Sequence, residues 1–189
     1  MFNDQYGLTE AVLDGRKTQT RRIAYEKPFK HIRICGFCTE GKDKGKLIIN
    51  DGNEIVAKST YKIGEVVAVA QRYCDIPFAN DIFIRAVPIG WSNKMFVKSD
   101  LMPHQIKITN IRCERLQDIS TDDCMKEGIF YSHTDGFDDA YTYDATFDRF
   151  VKKCWYRTPI KAYKMLSCKL HLHWDSNPLV FVYDFQLIK

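Results

Sequence analysis

What this 189-residue chain lacks narrows it first. No stretch approaches the roughly 18 consecutive apolar residues that a membrane-crossing helix needs, so no membrane association is expected. The opening MFNDQYGLTE has neither the basic segment nor the apolar run of a secretory signal, and a cytoplasmic location is expected. A disulfide framework is missing too: the seven cysteines, at 35, 38, 74, 113, 124, 154 and 168, are odd in number and irregular in spacing. Most are expected to pack as small apolar groups. Cys35-Gly36-Phe37-Cys38 is the only C-x-x-C, with His31 four residues before it. A structural zinc takes four ligands, yet there is no second C-x-x-C, and His171 and His173 stand only two apart. The pair therefore reads as strand-end cysteines, and neither metal nor cofactor is expected. Repeats, linkers and low-complexity segments are also absent, so residues 1–189 read as one domain.

What is present is ordinary in bulk and uneven in detail. Forty-five per cent apolar and 28 per cent charged residues suit a globular protein, and 13 per cent aromatics can fill a sizeable core. The net charge of +4 hides blocks. Asp14 to Lys46 holds ten Lys or Arg against four Asp or Glu; residues 115–148 hold nine acids and two bases. Residues 149–169 then carry seven bases and no acid. Such blocks either present one face to a polyanion, RNA or a nucleotide being the natural partner, or compensate one another on a solvated surface.

Periodicity places short elements around these blocks. Leu8, Ala11 and Val12 recur at helical spacing, and Gly15 can take the left-handed position that ends a helix at Asp14. Residues 32–37, 46–49 and 55–58 read as strands, the last two joined at Asp51-Gly52. A buried run at 66–70, a strand at 82–87 and a strand through Ile106 and Ile108 follow. There the alternation changes parity at Ile111 and Cys113, predicting a bulge near Asn110. Leu179, Phe181, Tyr183, Phe185 and Leu187 alternate through a last strand. Ser120-Thr121-Asp122-Asp123 opens a helix that Gly128 closes, and the stripe Phe147, Phe150, Val151, Cys154 and Trp155 predicts another. Residues 129–145 read as a long surface loop, and the basic run after residue 149 as a solvated face.

Asp14-Gly15-Arg16-Lys17-Thr18-Gln19-Thr20-Arg21-Arg22 is the stretch with chemical content. In a helical turn Lys17 and Thr20, three apart, would share a face. A desolvated lysine amine can take a proton from a threonine hydroxyl and make it a nucleophile. A helix end decorated with cations, which the helix dipole favours, explains the same residues without chemistry. Likewise Tyr25, Tyr73 and Trp91 can stack nucleobases or simply line the core.

Gly15 to Arg22 resembles the opening signature of ASCH domains, small barrels of the PUA-like superfamily. Gly64-Glu65-Val66-Val67, Ile111 to Ser120, Glu127-Gly128-Ile129 and Asn177 to Phe185 follow in the order of phage-type members. The resemblance spans most of the chain, least of all residues 129–170. It implies an α+β fold: a small PUA-like mixed β-barrel of about six strands with flanking helices. It also implies a cleft beside the first helix that binds RNA or a nucleoside or nucleotide, with Arg16, Arg21, Arg22, Gln71 and Tyr73 as ligand contacts. One branch of the family hydrolyses the amide of N4-acetylcytidine with a lysine, a threonine and a glutamate, which match Lys17, Thr20 and Glu127 here. In that alternative the protein is an amidohydrolase: Thr20 attacks, Lys17 relays the proton and Glu127 holds Lys17. The chain departs from the phage-type pattern after Val69, where Ala70-Gln71 replaces an Arg-Glu pair.

Overall fold

Helix α1 (Leu8–Leu13) forms where Leu8, Ala11 and Val12 bury one stripe, and Gly15, at φ 74°, turns the chain out of it. This is seen in a computed structural model of the chain, which describes residues 2, 4–25, 33–50, 52, 54–77, 87–132, 140–143 and 156–188. Residues 82–86 of the strand predicted at 82–87, and the helix predicted at 147–155, lie outside those residues, as do His31 and the Cys35 side chain.

Nine strands follow among the described residues: β1 (Gln19–Tyr25), β2 (Arg33–Phe37), β3 (Leu47–Asn50), β4 (Ile55–Lys58), β5 (Val66–Ala68), β6 (Gln105–Arg115), β7 (Phe130–Ser132), β8 (Ala140–Thr142) and β9 (Leu179–Leu187). They make a four-stranded sheet in the order β1-β9-β6-β5, a three-stranded sheet β2-β3-β4 and a β7-β8 hairpin, antiparallel throughout. The larger sheet curls into a half-barrel, an α+β architecture with few helices.

The strand readings survive with adjustments. The bulge near Asn110 is real, as the β6–β9 register shifts between Ile108 and Asn110. Residues 66–70 are not a buried run: β5 pairs on one side only, and Val66 is 49 per cent exposed. The expected surface loop at 129–145 contains the β7–β8 hairpin, with Thr142 and Tyr143 buried. A helix unpredicted from apolar spacing, α3 (Pro159–Lys169), lies inside the basic run; Thr158 caps it by accepting from the Lys161 N–H at 3.3 Å, and Pro159 occupies its first turn.

Strand β9 is central, so both its faces are covered and its alternation sorts residues between two cores. Val180 and Val182 pack under α3 with Leu116, Tyr163 and Leu166. Phe181, Tyr183 and Phe185 face the barrel interior with Ile49, Ile106 and Ile108. Strand β1 is one edge of this sheet, β5 the other.

Candidate functional site

Helix α2 (Thr121–Lys126) positions the acid. Ser120 accepts from the Asp123 N–H at 3.1 Å and starts the helix as the sequence predicts. At the other end Ile129 N–H donates to Cys124 O (3.2 Å) and Gly128 N–H to Met125 O (3.0 Å), a Schellman closure with Gly128 at φ 102°. Glu127 is thereby fixed at the last helical position, facing the start of β1. The Thr18 N–H donates to Lys126 O at 2.9 Å, and Lys17 Nζ donates to Glu127 O at 2.8 Å. Carbonyls that the helix end leaves unpaired are satisfied by the segment entering β1.

Lys17 Nζ also donates to Glu127 Oε2 at 2.6 Å, with both side chains at most 3 per cent exposed. Burial drives the Lys17 ammonium below its ordinary pKa, and the Glu127 carboxylate opposes that shift. Thr20 and Glu127 line the same cleft as Lys17, about 280 Å³ in volume, whose wall includes Phe2, Arg21 and Arg22. Lys17 and Thr20 do not share a helical face, because the chain is extended there. Both line the cleft, Lys17 from just before the β1 edge and Thr20 from the strand itself. The Thr20 hydroxyl makes no hydrogen bond among the described residues.

Arg21 borders the cleft and also centres a buried charge network. Its side chain is fully buried and donates to Gln19 Oε1 (2.6 Å), Glu127 Oε1 (3.0 Å), Glu114 Oε1 (2.5 Å) and Asp123 Oδ2 (3.2 Å). Burial works against its charge, but Glu127 and Glu114 outweigh that and raise its pKa further. Alongside, Arg112 donates to Glu114 (3.1 Å), Asp123 (2.5 Å) and Asp184 (3.1 Å). The antiparallel register explains the assembly: Arg21, Val182 and Arg112 stand in one row, and Gln19, Asp184 and Asn110 in the next. The basic block around Arg21 thus meets the acidic block around Asp123 and Glu127, so at these residues the two blocks compensate one another.

The remaining expectations divide. Arg22 lies in the cleft wall. Arg16 pairs with Asp14 at 3.2 Å and stands 5.4 Å from the Phe130 ring centroid, away from that wall. Gln71 lines a separate depression with Arg72, Asp75 and Asp4. Tyr73 is a correction: it is 3 per cent exposed in a satellite core with Ile76 and Met102, and its hydroxyl accepts from the Lys98 N–H at 2.8 Å. Its ring has no face to offer a base. Tyr25 and Trp91 pack against the cores as well.

Sequence reasoning passed over Phe2, Leu170 and Leu172 in the cleft wall, and Arg112, Glu114 and Asp184 in the charge network. Arg112 and Glu114 had one signal: like-facing charges two apart on a strand whose other face is apolar. Among the described residues no group of three His, Cys, Asp or Glu side chains is placed to hold a metal ion. The chain matches no protein-family model, no curated protein and no solved structure.

Proposed function

We propose that the protein binds a nucleoside, or one nucleotide of an RNA strand, in the cleft at the β1 edge. The observation that carries this reading is a buried Lys17–Glu127 pair lying in the wall of that cleft beside Thr20. Burying two charges seldom adds net stability, whereas a rigid floor with donors and acceptors at set positions selects a polar heterocycle. About 280 Å³ lies at the lower end for ligand pockets and suits one nucleoside unit. The likeness of Gly15–Arg22 to ASCH domains points to the same ligand class. Calorimetric titration with cytidine, N4-acetylcytidine and a short single-stranded RNA tests it. Saturable binding that Glu127→Gln weakens at least tenfold is expected; no heat with any of the three refutes it.

A second reading is amide hydrolysis, favoured by the unbonded Thr20 hydroxyl in the same cleft as a lysine whose pKa burial lowers. In it Thr20 Oγ1 attacks the acyl carbonyl of an N-acylated base and its proton passes to the Lys17 amine, which accepts it only when uncharged. The C–N bond breaks as that proton moves to the departing amine, and water then releases the acyl group from Thr20. Chromatography of N4-acetylcytidine incubated with the protein reads this directly. Cytidine formation that disappears in Thr20→Ala is the expected result, and an unchanged substrate peak after hours excludes the reaction.

A further inference from the structure

Phe2, which no charge or motif singles out, lies in the wall of two neighbouring cavities. One is the polar cleft. The other, about 30 Å³, opens into the half-barrel and is lined by Val67, Ala68, Ile106, Ile108 and Phe185. Thr20 and Arg22 border both. The Phe2 ring centroid stands 6.0 Å from Lys17 Nζ on the polar side and 5.6 Å from the Phe185 ring on the apolar side. Lys94 holds its backbone, donating to Phe2 O at 2.8 Å, to Asp4 Oδ1 at 2.6 Å and to Thr9 Oγ1 at 2.8 Å. The ring therefore has a fixed seat, set by a lysine outside the cleft.

We infer that Phe2 is a wedge dividing the ligand site, and that the lobe behind it receives a small apolar substituent of the ligand whose size the ring limits. The inference deepens the nucleoside reading and rests on it for the identity of the polar part. A cavity of about 30 Å³ is small beside the 280 Å³ cleft and favours the shorter members of a series of alkyl groups. The deep side of the lobe offers carbon surface from Val67, Ala68, Ile106, Ile108 and Phe185, while Thr20, Arg22, Tyr61 and Tyr183 complete its lining. Because Thr20 borders both lobes, a group attached to the bound base beside Thr20 lies at the entrance to the apolar lobe. The structure thus assigns ligand selectivity to a residue that makes no polar contact with the base.

The experiment compares wild type, Phe2→Ala and Phe2→Leu by calorimetric titration with cytidines N4-acylated by acetyl, propionyl and butyryl groups. Hydrolysis is blocked by Thr20→Val throughout. The acetyl compound is expected to bind at least tenfold tighter than the butyryl one when Phe2 is present. Phe2→Ala is expected to bring them within threefold, with Phe2→Leu between. Lys94→Met, which frees the Phe2 backbone without touching the ring, is expected to relax the profile in the same direction. Equal affinity for all three compounds with Phe2 present, or an unaltered profile in Phe2→Ala, overturns the wedge. A second arm needs no nucleoside: methyl NMR signals of Val67, Ile106 and Ile108 are followed under xenon and with benzene. Shifts with xenon in wild type, and with benzene only after Phe2→Ala, uphold the wedge even where no cytidine binds, in which case the nucleoside reading alone falls. Benzene entering wild type, or neither probe entering either protein, sinks the wedge independently. Should Phe2→Ala unfold by circular dichroism, Phe2→Leu and Lys94→Met carry both arms.

Discussion

Arg21→Met removes the guanidinium that four side chains share, and its consequence can be worked out group by group. Arg21 is fully buried and donates to Gln19, Glu114, Asp123 and Glu127. After the change Glu127 keeps Lys17 at 2.6 Å, while Glu114 and Asp123 keep Arg112 at 3.1 and 2.5 Å. No carboxylate is abandoned, but a buried group of acids has lost the base at its centre. Breaking a buried ion pair from one side costs about 3–5 kcal/mol, and the surviving partners put this case near 3 kcal/mol. With a urea slope of about 2 kcal/mol per molar, the unfolding midpoint should fall by about 1.5 M at unchanged slope. Arg21→Lys keeps the charge, yet one ammonium cannot reach four acceptors, so roughly half the loss should remain. The deficit should persist between 0.05 and 0.5 M salt, because enclosed pairs are poorly screened. A loss below about 1 kcal/mol for Arg21→Met, or one that vanishes at the higher salt, would refute the enclosed network.

The other expectations are simpler. Thr20→Val should abolish any amidase activity while moving stability by less than about 1 kcal/mol, since the hydroxyl has no hydrogen bond to lose among the described residues; thermal melting beside the hydrolysis assay checks both halves. Gly128→Ala should cost about 1–2 kcal/mol from backbone conformation alone. Gly128 sits at φ 102°, and a Cβ there would meet Ala11, Leu8 and Lys17 at an unstrained 3.6 Å. The melt should drop by a few degrees. Burial pushes the Asp123 carboxyl up, but Arg112, Gln19, Arg21 and Lys126 together hold it below the ordinary 3.8. The unfolded state therefore takes up this proton first, so the stability Asp123 contributes is complete above pH 3.8 and drains away as pH falls through its lower folded value. Acid titration of the unfolding midpoint should show that loss, and Asp123→Asn should flatten it. Burial raises the Cys124 thiol to about 12, so iodoacetamide at pH 8 should leave Cys124 unmodified until the protein unfolds, as peptide mass mapping would show.

Much of this was legible along the chain. The Gly15 and Gly128 helix ends, the Ser120 cap, the Asn110 bulge and the alternation of β9 each depend on residues within a few positions of one another. Turn conformation, capping and strand pleat are local physics, and that is why they could be read. Lys17, Thr20 and Glu127 were legible only through the likeness of a short motif to ASCH domains. Pairing Lys17 with Glu127 needed the chain brought back across 110 positions. Thr158-Pro159 was a readable helix start inside the basic run, overshadowed there by the run of charge. Arg21 shows the converse. Next to Arg22 in an exposed-looking basic string it reads as a ligand contact alone, while the fold also buries it among four side-chain partners.

Local order alone determined these elements: a short helix leaving through Gly15 into extended chain, a capped helix ending before Gly128 and a last strand of alternating residues. Tertiary structure decided which charges cancel and which line a cavity. Antiparallel register set Arg21 and Arg112 in one row beneath Asp123, and chain return set Phe2 between Lys17 and Phe185. Electrostatic pairing and cavity shape depend on distances in space between residues up to 165 positions apart, as for Gln19 and Asp184, and no periodicity along the backbone encodes those.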